Sequence, residues 1–202
     1  MSSAIRTALA SWLDAGESRM GELIISEGYE LRHHLDAGRE GLTLYTAPGA
    51  AREIALYDEA GNYRPLKTAP TLRRGWRMGL GAIGDLQEAL EGFYPAMLAA
   101  RLAHQNGKLR VTPLRETLNR QSGMYAITKK MTDEQANATV CAFCNSTSGC
   151  LKTILWQIAP GIPITTLPPE KSAPHGDFPL LCAEGCNLLV ARAREVVKQE
   201  TP

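Results

Sequence analysis

Five cysteines lie in the last third of this 202-residue chain: Cys141, Cys144 and Cys150 in one group, Cys182 and Cys186 in another. An odd number cannot all pair within one chain, and thiols seldom pair in a reducing cytosol, so the grouping reads as metal ligation rather than a disulfide framework. Ligands delivered in two short segments can fix a site at low entropic cost, because each segment brings its thiolates already close together. The last third of the chain is therefore expected to fold around these thiols. Only Cys141 and Cys144 have the two-residue spacing of a zinc knuckle; the second pair has three residues between. An iron-sulfur cluster tolerates wider spacing, since its own sulfides fill the gap between thiolates. The small residues Asn145 to Gly149 add to that reading by letting backbone N–H groups approach sulfur. From spacing, zinc and a cluster both stay open.

Composition narrows the rest. Hydrophobic residues at 44% and charged residues at 21% exclude a wholly disordered chain, a collagen-like repeat and a coiled-coil rod. The length suits one domain or two small ones. With 22 basic and 21 acidic residues the net charge is +1, so any nucleic-acid binding has to rest on a local patch. No apolar run is long enough to span a membrane. Asp14 and Glu17 interrupt the stretch a signal peptide would need, and a soluble, cytoplasmic protein is expected.

Along the chain, Ile5, Leu9, Trp12 and Leu13 predict a helix within Ser2 to Ile24, whole or broken at Gly16, with Ser3 as N-cap. Alternation over Tyr29 to His34 and Leu42 to Thr46 predicts a β-hairpin. Pro48 opens a short helix to Leu56, and Asp58 to Asn62 is a turn. Ile83, Leu86, Leu90, Phe93, Met97 and Leu98 predict a long helix that Pro95 kinks or splits and Asn106-Gly107 closes. Thr112 is the expected N-cap of a helix with Pro113 at its first position, and Thr132 to Gln135 forms a capping box. An apolar turn follows over Leu151 to Ile158, then a proline-rich connector from Pro160 to Pro179 and a last helix from Asn187 to Val197. The fold class is mainly α with a small β component (α+β): a helical N-terminal domain over 1–110 with a short hairpin, then a cysteine-liganded domain over 111–202.

Several longer motifs resemble a known family. They are Arg110-Val-Thr-Pro-Leu-Arg-Glu-Thr-Leu-Asn-Arg-Gln-Ser-Gly-Met-Tyr125, Cys150-Leu-Lys-Thr-Ile-Leu-Trp156, the Cys182/Cys186 pair, Pro65 to Trp76, and Phe93-Tyr-Pro95. From about residue 27 onward the chain resembles the C-terminal modules attached to some bacterial class II sirohydrochlorin chelatases of the cobaltochelatase type. The resemblance implies a helical stabilising domain followed by a domain binding a 4Fe-4S cluster. Mapped onto this chain, it implies Cys144, Cys150, Cys182 and Cys186 as the four ligands, with Cys141 the spare. Residues 1–26 are too few to supply the chelatase domain, so chelatase activity is not expected to carry over. A redox, electron-relay or sensing role is expected instead, with a redox partner or a tetrapyrrole (sirohydrochlorin or cobalamin metabolism) as the implied connection.

Other residues carry weaker signals. From Gly61 to Gly84 only Asp and Glu are missing among charged residues, while Arg64, Lys67, Arg73, Arg74 and Arg77 are present. Arg73, Arg74 and Arg77 could fork onto the carboxylates of a tetrapyrrole, or form an ordinary solvated face. The alternative function built on them is a zinc-stabilised module presenting an Arg-rich face to nucleic acid, a partner the balanced charge disfavours. His33 and His34, adjacent on a predicted strand, point to opposite faces and do not share a metal. His104 ends the long helix, and His175 precedes Cys182 in the proline-rich segment. No Walker loop, dinucleotide GxGxxG, GxSxG or HExxH is expected, so hydrolytic catalysis has no support and whether the chain is an enzyme stays open.

Overall fold

A computed structural model describes residues 2–16, 18–57, 72–144, 150–165 and 177–199. The expected turn at Asp58 to Asn62 and His175 lie outside them. The fold is mainly α with a small β component. The chain divides into two compact units, one of residues 1–108 with 172–180 and the other of 109–171 with 181–202. Among the described residues no helix is long and apolar enough to cross a membrane.

In the first unit, helix α1 (Ser2–Asp14) buries Ile5, Leu9 and Trp12 along one face. It stops well short of Ile24. Gly16 takes φ 87°, a left-handed conformation that ends a helix cheaply only without a Cβ. Residues beyond it form strands β1 (Arg19–Met20) and β2 (Leu23–Ser26), reversed at Gly21, because Leu23-Ile24-Ile25 buries alternate side chains. Strand β3 (Glu30–His33) pairs antiparallel with β2.

The expected hairpin does not form. Strand β4 (Thr43–Tyr45) exists, but β5 (Trp76–Gly79) inserts between it and β3, parallel to β4 and antiparallel to β3. Trp76 and Met78 alternate inward on β5 and supply an apolar strand that a hairpin of β3 and β4 would lack. Together with β7 (Asp177–Phe178), parallel to β1, the strands run β4-β5-β3-β2-β1-β7. Helix α2 (Ala50–Leu56) follows Pro48 as expected. Pro95 splits the long helix into α3 (Ile83–Phe93) and α4 (Met97–Gln105), with Ala96 at φ 64° and its N–H donated to the Glu91 carboxylate at 2.8 Å. Trp76 stacks on Phe93 at 5.0 Å, and buried Arg101 lies over Trp12 and Phe178.

In the second unit, helix α5 (Leu114–Asn119) begins one residue later than expected: Pro113, not Thr112, is its N-cap. No capping side chain is needed, because the Leu114 and Arg115 N–H groups donate to the carbonyls of Gln157 and Ile158 at 2.9 and 2.7 Å. Helix α6 (Asp133–Cys144) carries the capping box in full. The Thr132 N–H donates to Gln135 Oε1 at 2.7 Å and the Gln135 N–H to Thr132 Oγ1 at 3.2 Å. Strands β6 (Thr153–Ile154) and β8 (Leu181–Cys182) pair in parallel, and helix α7 (Asn187–Gln199) follows. Leu114, Leu118, Val140, Trp156, Leu189 and Ala193 form the core these elements share.

Candidate metal centre

The two cysteine groups reach the second unit's core from different elements. Cys141 and Cys144 sit on the last turn of α6, three residues apart and so on neighbouring positions of one face. Cys144 is buried among the apolar core residues, and Cys182 and Cys186 pack against that same cluster. Cys141 is placed differently. It is half-buried, with its thiol 4.0 Å from Asn137 Oδ1, and Asn137 also accepts the Thr165 N–H at 3.3 Å and donates to Thr165 Oγ1 at 3.2 Å. Cys182 ends β8, while the carbonyl of Cys186 accepts the Val190 N–H at 3.1 Å in the first turn of α7. Between them Gly185 lets the loop lie against α5: a Cβ there would come 2.8 Å from Leu114 Cδ1.

Pairing of β6 with β8 sets Ile154 opposite Cys182, and the Leu155 N–H donates to the Cys182 carbonyl at 3.0 Å. The next residue, Trp156, then donates its indole N–H to Cys182 Sγ at 3.2 Å. Burial pushes the Cys182 thiol above its ordinary value; the Trp156 hydrogen bond and the charge of Lys152 pull it back, and Cys186 and Cys150 push it up again. Charge on Cys150 and Cys186 thus raises the cost of a thiolate at Cys182. A bound cation or cationic cluster core relieves that cost.

The donor set, thiols with an indole N–H beside one of them, fits a cluster. Sulfurs around one zinc sit about 3.8 Å apart, from ~2.3 Å bonds in a tetrahedron. Among the described residues, which include all five cysteines as free thiols, no group of three or more His, Cys, Asp or Glu is gathered for one metal ion. A cubane asks for thiolates beside an apolar wall with N–H donors to sulfur, and Cys182 has both in the core cluster and the Trp156 indole.

The remaining candidates lie in the first unit. Arg73 reaches Tyr45 Oη at 3.4 Å, Arg77 pairs with Glu30 at 3.2 Å, and Arg74 is exposed. His33 and His34 do not diverge. Strand β3 ends at His33, a turn begins at His34, and the rings stack at 4.8 Å. His33 is buried with Nε2 3.8 Å from Glu22, and His104 is exposed in the last turn of α4. Against the expectation of no dinucleotide GxGxxG, Gly79-Leu-Gly-Ala-Ile-Gly84, between β5 and α3, has that spacing. It lacks the context that gives such a loop its function. The helix after it leads to α4 rather than to a parallel neighbour of β5, and Asp85 puts a carboxylate beside Gly81 where a phosphate would sit.

Comparison with known proteins bears on the family and on the cofactor. Residues 5–105 match the family model described as the DR2241 stabilising domain, and residues 106–195 match a 4Fe-4S iron-sulfur cluster binding domain. The second match decides between cluster and zinc in favour of the cluster. The crystal structure of DR2241 from Deinococcus radiodurans, described as a multi-domain protein with structural similarity to chelatases and two additional novel domains, matches at a TM-score of 0.77 and 35% identity. That match covers 98% of this chain and 42% of the other, so the chain spans less than half of that protein's length. No curated protein matches.

Proposed function

Because the chain belongs to the DR2241 stabilising-domain family and joins that domain to a 4Fe-4S cluster-binding domain, we propose that it is an electron-relay or redox-sensing module with Cys144, Cys150, Cys182 and Cys186 as cluster ligands. The observation that carries this reading is the setting of Cys182, half-buried against the apolar core, hydrogen-bonded by an indole and within reach of the charges of Cys150 and Cys186. A bound cluster supplies one-electron chemistry. The protein's part is to hold the thiolates, keep water from them and set the electrostatics around them. Five free thiols suit the reducing cytoplasm, which is where we place its work.

A tetrapyrrole connection belongs to the same proposal. Its support is the likeness to a protein described as similar to chelatases, together with the guanidinium groups of Arg73 and Arg74. Sirohydrochlorin, a polycarboxylate, would then bind more weakly to an Arg73→Ala/Arg74→Ala variant and more weakly as salt rises. Equal binding by both proteins removes this part.

The redox role is tested by anaerobic reconstitution, iron and sulfide analysis, and EPR-monitored potentiometry. A reversible one-electron couple is expected inside the range of about −700 to +450 mV that protein clusters span. A loaded cluster that neither takes nor gives an electron across that range leaves it a structural element.

A further inference from the structure

The β6/β8 pair aims one particular side chain at one particular sulfur. We propose that Trp156 sets the potential of the cluster: its indole N–H, donated to Cys182 Sγ, favours the reduced state and raises the midpoint. This rests on the reading of Cys182 as a ligand.

The argument begins with the indole, a donor with no acceptor atom of its own. Trp156 is 3% exposed, so water does not compete for its N–H, and the acceptor the fold gives it is Cys182 Sγ at 3.2 Å. The other two tryptophans spend theirs on oxygen: Trp12 on Gln105 Oε1 at 3.1 Å and Trp76 on the carbonyl of Arg73. Aim is enforced by backbone. With Ile154 opposite Cys182 and the Leu155 N–H on the Cys182 carbonyl, the strand pair brings the Trp156 backbone alongside the Cys182 sulfur. Its ring is held at the same time by the apolar core it shares with Val140, Cys144 and Leu189.

Reduction adds one negative charge, which spreads onto the ligand sulfurs. A donor on one of those sulfurs therefore binds the reduced form more strongly than the oxidised form, and the difference appears as potential. Low surrounding polarity enlarges it. Trp156 touches a ligand rather than the cluster, so it is a positioning residue, and a potential is the property that separates this role from simple packing.

The test uses the whole chain, reconstituted anaerobically, and its Trp156→Phe variant, which keeps the aromatic packing and removes the N–H. The variant should hold about four irons, and at the potential where the parent is half reduced its ratio of reduced to oxidised cluster should fall about tenfold, equivalent to ~59 mV for a one-electron couple. A loaded variant with an unchanged midpoint overturns the proposal. Should the variant fail to hold its cluster, pulsed EPR on the reduced parent protein carrying indole-15N tryptophan answers instead: a 15N coupling is expected, and its absence overturns the proposal. Cys182→Ala keeps the two readings apart. If it retains four irons, the ligand assignment fails; if it loses them while Trp156→Phe leaves the midpoint in place, only the role of Trp156 fails.

Discussion

Replacing Cys141 and Cys144 in turn by alanine separates a ligand from its neighbour on the same helix face. Cys144 is 8% exposed in the core with Val140 and Trp156, so removing its sulfur from the metal-free chain deletes about one methylene's worth of buried surface, ~1 kcal/mol. Serine is the poorer choice there, because a hydroxyl without a partner in that pocket costs about 1–3 kcal/mol. Cys141 is half-buried with a long contact to Asn137, and its loss should change stability by no more than about 0.5 kcal/mol. Against a domain stability of about 5–15 kcal/mol neither change unfolds the protein. Iron content then reports ligation. Cys144→Ala should fall from about four irons per chain to below one, and Cys141→Ala should stay near four. Iron and sulfide are measured after anaerobic reconstitution, with urea unfolding of each metal-free variant alongside, followed by circular dichroism. Loss of iron from Cys141→Ala with retention in Cys144→Ala refutes the assignment. A drop of several kcal/mol in metal-free Cys144→Ala would refute the packing argument that makes the iron count interpretable.

Gly21 and Gly38 both have left-handed φ, 57° and 78°, but a Cβ at Gly38 meets nothing while one at Gly21 would lie 2.7 Å from Tyr94 Oη, which accepts the Glu22 N–H. Gly38→Ala should cost about 1 kcal/mol and Gly21→Ala about 2–4 kcal/mol in urea unfolding; equal losses would mean the close approach carries no weight. Thr132→Ala removes one half of the capping box and should lower stability by about 1 kcal/mol, with faster amide exchange confined to the first turn of α6. Burial first, then the charges of Arg19 and His33, hold His34 below its ordinary value of 6.5, with Glu22 opposing. The folded chain therefore binds fewer protons than the unfolded one: this stability is present above pH 6.5 and is lost as pH falls through the lowered value. His34→Asn should flatten the stability profile just below pH 6.5, and an unchanged slope would show that the group does not contribute.

Local signals proved readable where the physics is local. Pro95 cannot donate to residue 91, so α3 and α4 separate there whatever surrounds them. Thr132 and Gln135 satisfy each other's amides within one turn, and α6 starts where that pattern begins. The cysteine grouping belongs to the same class, since two short segments rich in thiols mark metal–thiolate chemistry before any fold is known, with zinc and a cluster both open.

Strand order depended on partners far along the chain. Residues 29–46 alternate as a hairpin should, yet β3 had a better neighbour in Trp76 and Met78, some forty residues on, and a period of two says nothing about which strand lies alongside. Strand β7 likewise returns from beyond residue 170 to pair with β1, and the connector's prolines gave no sign of it. At the metal centre the sequence by itself determined which side chains could carry thiolate chemistry. Only tertiary structure decided that Cys144, Cys182 and Cys186 share a core from which Cys141 turns to Asn137, and that Trp156 faces Cys182. Twenty-six residues part that indole from its sulfur, and the β6/β8 register joining them is a long-range pairing that neither segment encodes alone.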